Sequence, residues 1–189
     1  MILVLVRHGQ TDYNHNRLVQ GRMDNPLNMT GKNQAFQLGV MIKDQGETFD
    51  LLGSSPLTRA KQTATIIGNL INKEINFTDS HFLERDFGPF EGRSIDEVLP
   101  QITRDDFFLE GYEDNQKLIK RIASATKRLY KKYSDKKVLL VVHAHVIKSL
   151  LILVDKDKYN FTNHFVGNSS MLYFDVEKDY IKLIKQIDL

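Results

Sequence analysis

Two apolar runs, far apart in this chain, end in the same way. Leu3 to Val6 leads straight into Arg7, His8 and Gly9, and Lys137 to Val142, an apolar run behind a lysine cluster, ends at His143. Continuous apolar runs of this length read as strands buried on both faces. Open α/β sheets place their ligands outside the carboxyl ends of such strands. Two strand-end histidines so distant in sequence can meet only if both strands lie in one sheet and point the same way.

The segments between alternate accordingly. Asn25-Pro26-Leu27-Asn28 and Thr30-Gly31 form a turn, with Thr30 the expected cap of a helix through Gln34, Ala35, Leu38 and Met41-Ile42. Phe49 to Ser54 reads as a short strand delivering Ser55 and Pro56 to its end, and Pro56 or Leu57 opens a helix through Arg59, Ala60, Thr63, Ala64 and Ile67. A short strand at Ile75 and Phe77 leads toward His81, Phe82, Leu83 and Glu84. The aromatic, glycine-rich stretch Phe87 to Gly92 suits a compact loop over a site.

Ser94 to Leu99 predicts one or two helical turns stopping before Pro100. The segment through Asp105, Asp106, Phe107, Phe108, Gly111 and Tyr112 lacks clean periodicity, so residues of about 85–113 are expected to form a small lid on a single domain spanning 1–189. Asp114 or Asn115 caps a helix in which Leu118, Ile122, Ala125 and Leu129 recur at helical spacing. A further helix follows His143, with Ile147, Leu150 and Leu151 inward and Lys148 toward solvent. Phe165 to Asn168 and Met171 to Val176 are expected at the sheet edge, with a last strand over Tyr180 to Ile187. Strand and helix in alternation predict an α/β fold around a largely parallel sheet.

At 189 residues the chain buries enough surface for one domain with a real core. With no cysteine, disulfides and thiolate chemistry are excluded. The formal charge of +2, from 26 basic and 24 acidic residues, is too balanced to imply nucleic acid. Lys127, Arg128, Lys131, Lys132, Lys136 and Lys137 read as a solvated helix end rather than a phosphate-backbone patch. No run approaches the roughly 20 apolar residues that span a bilayer, and Met1 enters the first strand without a leader-like segment. A cytoplasmic protein is expected.

The strand-end groups are Arg7, His8, Arg59, Glu84 and His143. Any one has an ordinary explanation as a solvated loop residue, and Arg59 alone is as readily a surface arginine. Together, several cations around one point repel unless an anion joins them, and a phosphoryl group fits that charge and donor geometry. A neutral His8 imidazole has the chemistry to attack phosphorus if its other ring nitrogen donates a hydrogen bond, for which a backbone carbonyl is the expected acceptor. The arginines and His143 would stabilise charge in flight, and Glu84 suits proton donation to a departing alkoxide.

These residues carry a family resemblance. Arg7-His8-Gly9-Gln10-Thr11 with Asn14, Arg17, Gln20-Gly21, Asp24, Pro26-Leu27 and Gly31, then Ser55-Pro56-Leu57 with Arg59-Ala60 and Thr63-Ala64, then Leu83-Glu84 with Phe87-Gly88 and Glu91-Gly92, resemble the histidine phosphatase superfamily, in its cofactor-dependent phosphoglycerate mutase-like branch. The resemblance spans essentially the whole chain. It implies a three-layer α/β/α sandwich, a nucleophile at His8, a phosphate pocket of Arg7, Arg59 and His143, a proton donor at Glu84, a phosphoryl contact from Asn14, and Gln20 and Gly21 on the substrate side. It also implies that no metal or organic cofactor is used and that the partner is a small-molecule phosphate ester. Ala144 and His145 stand where the second histidine is usually followed by glycine, so Ala144 enters the expected binding set as a pocket-narrowing residue. The element Gly111-Tyr112-Glu113-Asp114 aligns only loosely with the family's glycine-glutamate-serine.

The expected activity is a metal-independent phosphomonoesterase acting through phosphohistidine, with phosphoglycerate mutase as the alternative. Arg85, Arg93 and Arg104 offer no adjacent arginine pair of the kind that the resemblance associates with true mutases. A non-catalytic phospho-ligand binder needs no paired nucleophile and acid. Phe87, Phe90, Phe107, Phe108 and Tyr112 are either entrance residues favouring an apolar alcohol or, more simply, core and lid packing.

Overall fold

The computed structural model describes residues 1–102 and 107–189. Six strands form one sheet: β1 (Ile2–Arg7), β2 (Leu51–Ser54), β3 (Phe77–Thr78), β4 (Lys137–Val142), β5 (Met171–Val176) and β6 (Ile181–Ile187), in the order β3-β2-β4-β1-β5-β6. The pairings β3-β2, β2-β4 and β4-β1 are parallel, whereas β5 and β6 are antiparallel additions. The helices are α1 (Asp12–His15), α2 (Met29–Asp44), α3 (Thr58–Ile71), α4 (Ile95–Ile102), α5 (Asn115–Tyr133) and α6 (Ala144–Val154).

The period of two along the central strands divides the core. Leu3 and Leu5 of β1, with Val138, Leu140 and Val142 of β4, pack against Leu118, Ile122, Val146, Ile147 and Leu150 of α5 and α6. Val4, Val6, Leu139 and Val141 face Leu38, Ile42, Ala60, Ala64 and Ile67 of α2 and α3. Central strands sandwiched between helices need apolar residues on both faces, which is why they read as continuous apolar runs. The product is the three-layer α/β/α sandwich around a mixed, largely parallel sheet.

Register then brings the two histidines together. Arg7 pairs with Val142, and the His8 amide donates to the Val142 carbonyl at 3.0 Å. Where β1 ends, the chain passes very close to α2: a Cβ on Gly9 would lie 2.3 Å from the Gly31 carbonyl oxygen, and one on Gly31 would lie 2.0 Å from that of Gln10. Neither position has room for a side chain.

Several local expectations are corrected. The cap of α2 is Asn28, whose side-chain oxygen accepts from the Gly31 amide at 2.9 Å, because Thr30 already lies within the first turn. Helix α4 runs through Pro100 to Ile102. Proline costs a helix interior one hydrogen bond, but Val98 and Ile102 are buried in a third apolar cluster with Val19, Phe87, Phe90 and Tyr112, which holds the last turn in place. Strand β5 is interior, covered by β6. Lys148 is half-buried and donates to the Phe161 carbonyl at 2.7 Å instead of reaching freely into solvent. Arg104, Asp105 and Asp106 lie outside the described residues. Among the described residues no helix is long and apolar enough to cross a membrane.

Candidate active site

At the carboxyl edge of β1, β2 and β4 a cavity of about 140 Å³ is lined by Arg7, His8, Asn14, Gln20, Gly21, Arg59, Glu84 and Ala144, with an apolar wall beyond. Arg7 and His8 arrive on the end of β1 and Arg59 on the first turn of α3. Glu84 follows a turn at Ser80–Phe82, and Ala144 opens α6.

His8 is buried, with Nδ1 2.7 Å from the Gly9 carbonyl. A carbonyl only accepts, so Nδ1 carries the proton and Nε2 keeps its lone pair. Burial first, then the charges of Arg59 and Arg7, hold this imidazole well below its ordinary range, with the Gly9 bond pulling weakly the other way. The nitrogen facing Arg59 is therefore unprotonated at neutral pH.

Arg59 is fully buried and donates three times: Nε to His8 Nε2 at 3.2 Å, and its terminal nitrogens to the Met23 and Gly21 carbonyls at 2.7 and 2.6 Å. It thereby fixes the Gly21 turn against the nucleophile strand. Gly21 has φ +53°, and a Cβ there would lie 2.0 Å from Glu91 Oε1. Arg7 donates to the Val166 carbonyl at 2.6 Å, while its Nε is buried without a partner among the described residues. Burial brings both guanidinium groups down to about 10, against the opposing pull of the Glu84 carboxylate. Both remain cations at neutral pH.

Glu84 is buried and accepts from the Arg85 and His145 amides at 2.8 and 3.3 Å. Asn14 sits on α1, its side-chain oxygen shared by the Thr11 amide and Asn168 Nδ2, each at 3.2 Å. Gln20 Oε1 is buried with no hydrogen-bond partner among the described residues. His143 stands against His8, ring centroids 5.2 Å apart, but is not part of the cavity lining. Its Nε2 lies 2.8 Å from Ser55 Oγ and its Nδ1 is buried without a partner among the described residues. Burial likewise holds this imidazole well below its ordinary range, so the ring is neutral and carries a single N–H.

Other contributors were given no role by the sequence. Thr63 Oγ1 accepts from the Gly9 amide at 3.1 Å, and Asn168 donates to the His8 carbonyl at 3.0 Å. Arg121, which the helical pattern marks only as a polar-face residue of α5, pairs with Glu113 at 2.7 Å and donates to the His81, Leu83 and Glu84 carbonyls. The loosely aligned Glu113 is thus an anchor for the loop that carries Glu84. The apolar wall of the cavity comes from Leu18, Val19 and one stripe of α4. That stripe has helical spacing, but Pro100 hid it. Of the aromatics, Phe90, Phe107 and Tyr112 pack together, Phe108 is exposed, and Phe87 also lines the cavity. Among the described residues, no three histidine or carboxylate side chains are grouped to hold a metal ion.

The model of the histidine phosphatase superfamily (branch 1) matches residues 3–188. The chain belongs to this superfamily. An uncharacterized phosphatase, PhoE, of Bacillus subtilis (strain 168) is 38% identical over 147 residues, covering 78% of this chain and 74% of its own length. A probable phosphoglycerate mutase, GpmB, of Salmonella paratyphi C is 33% identical over 156 residues, covering 78% and 71%. The crystal structure of a phosphoserine phosphatase mutant from Entamoeba histolytica, in complex with phosphoserine, superposes with a TM-score of 0.85 at 26% identity, covering 98% of this chain and 95% of that one. The protein is an enzyme of a histidine phosphatase branch that holds both small-molecule phosphatases and phosphoglycerate mutases.

Proposed function

We propose that the protein hydrolyses phosphate monoesters of small molecules through a phosphohistidine at His8, without a metal. The observation that carries this is the His8 ring itself: its Nδ1 proton is engaged by the Gly9 carbonyl and its Nε2 lone pair is held against Arg59 at the cavity wall. An arriving phosphoryl oxygen takes over the Arg59 donor, and Nε2 is released to attack phosphorus. Arg7, Arg59, Asn14 and His143 then stabilise charge on the phosphoryl oxygens.

As the N–P bond forms and the ester P–O bond breaks, Glu84 gives its proton to the departing alcohol oxygen. A water then yields a proton to Glu84 while its oxygen attacks phosphorus, the N–P bond breaks, and inorganic phosphate leaves. His8 and the protonated Glu84 are both restored. Gln20 and Gly21 border the alcohol side, and Ala144 narrows the space beside Glu84. Phosphoglycerate mutase, the activity that the Salmonella relative's name carries, shares the first half of this sequence. Incubation with 3-phosphoglycerate, reading free phosphate against 2-phosphoglycerate, separates the two, and predominant 2-phosphoglycerate would reject the phosphatase assignment.

A further inference from the structure

The cavity has two chemically opposite ends. Arg7, Arg59 and His8 form one. The other is an apolar wall: Leu18 and Val19, joined by Ile95, Val98, Leu99 and Ile102 of α4. These four helical positions follow the i, i+3, i+4, i+7 stripe of one helix face. Main-chain bonds tie that face to the site, with Ile95 donating to the Arg17 carbonyl at 2.9 Å and Val19 to that of Arg93, also at 2.9 Å.

Among the described residues, the arginines around this end are already engaged. Arg17 pairs with Asp96, Arg22 with Asp86 at 3.1 Å and Glu113 at 3.7 Å, and Arg93 with Glu97 at 3.7 Å. Arg85 is buried against Tyr112 and Asn115, with its guanidinium 4.3 Å from the Phe161 ring centroid. Among the described residues, the acid–base groups lining the cavity beyond the phosphate end are Glu84 and His145. Glu84 is itself a carboxyl group, and burial keeps the His145 imidazole uncharged. A carboxylate on the alcohol half of a substrate would find aliphatic side chains and, among the described residues, no free cation to receive it.

Building on the phosphatase assignment, we infer that the preferred substrates are phosphate monoesters of uncharged alcohols with an aliphatic or aromatic body, and that carboxylate-bearing esters such as 3-phosphoglycerate and phosphoserine are poor ones. The α4 stripe is the specificity-determining element. Leu99, on the rim and 40% exposed, is its most replaceable member.

Straight-chain alkyl phosphates test this, because the departing alcohols differ little in acidity while their apolar area grows. For the purified full chain, kcat/KM should rise by up to about fourfold per added methylene between ethyl and hexyl phosphate, with 3-phosphoglycerate and phosphoserine below propyl phosphate. L99R should shift the ratio of 3-phosphoglycerate to hexyl phosphate by about tenfold or more toward the carboxylate. A series flat in chain length, carboxylate esters faster than propyl phosphate, or an unmoved ratio in a folded L99R would overturn the inference while leaving a phosphatase. No turnover of any ester, with no labelled adduct on His8, would overturn the phosphatase assignment on which it rests.

Discussion

Arg59 Nε rests 3.2 Å from His8 Nε2, so the cation proposed to receive a phosphoryl oxygen occupies the nitrogen proposed to attack phosphorus. In the free protein the two groups satisfy each other, and a substrate must part them. Both are buried, which makes an unfilled donor or acceptor costly and favours a phosphoryl group whose oxygen accepts from Arg59 while its phosphorus meets the Nε2 lone pair.

His8→Ala should remove turnover by about three orders of magnitude or more, since among the described residues no other imidazole lines the phosphate end of the cavity. Rapid quench with labelled ester should trap an acid-labile, base-stable adduct in the native protein and none in the variant. A folded variant that hydrolyses at the native rate would reject His8 as the nucleophile.

Replacing Arg59 by Lys keeps a charge but loses the fork that joins His8 to the Gly21 and Met23 carbonyls. A fall in kcat/KM of about 10²–10³ is expected, the scale for loss of one preorganised donor. Faster amide exchange around residues 20–24 should accompany it. Native kinetics in the Lys variant would show that charge alone suffices.

Glu84→Gln should slow alkyl phosphates far more than p-nitrophenyl phosphate, because only the poor leaving group needs a proton. Burst rates of phosphohistidine formation across alcohols of differing acidity read this directly. Equal losses across the series would make Glu84 a structural residue.

Folding stability should decline in acid. His8, His143 and His145 are all held well below the ordinary histidine value when folded, chiefly by burial. Below about pH 6.5 the unfolded chain therefore binds protons that the folded chain does not, so stability rises with pH up to that point and then levels off. Each group adds up to about 1.4 kcal/mol per pH unit. Urea unfolding at pH 7.5, 6.0 and 5.0 should show a slope that decreases in His145→Ala, and a flat profile would contradict the buried neutral state. Inorganic phosphate, by stabilising cations in the pocket, should reduce the loss.

Activity should persist in EDTA, because Arg7 and Arg59 supply the positive charge that a divalent ion would otherwise bring. A rate that vanished with the chelator and returned with one particular ion would reject the metal-independent scheme.

Much of this site was legible because its key groups sit next to their strands in the chain. Arg7-His8 and His143 each follow an apolar run, and a parallel sheet leaves such ends side by side. Helix α4 was misread because proline's local penalty was weighed without the buried contacts of Val98 and Ile102 that outweigh it. Arg121 escaped notice for a different reason: a guanidinium on the polar face of an amphipathic helix looks solvated until the partners, here Glu113 and three loop carbonyls, are brought to it from distant sequence. His143 stands 5.2 Å from His8, ring centroid to ring centroid, as parallel strand ends allow, whereas its bond to Ser55 depends on side-chain orientation that no spacing encodes.

The strand bearing His8 lies between β4 and β5, both made long after it during synthesis. A nascent chain ending before Lys137 would already contain His8, Arg59 and Glu84 but would lack both neighbours of β1. Its apolar edges would stay open until the C-terminal third emerged, a high-contact-order arrangement associated with slow folding and exposure to aggregation. Assembly of the pocket is thereby deferred until β4 and β5 have been made, and a product truncated before them would carry the nucleophile without the framework that holds its ring nitrogens in place.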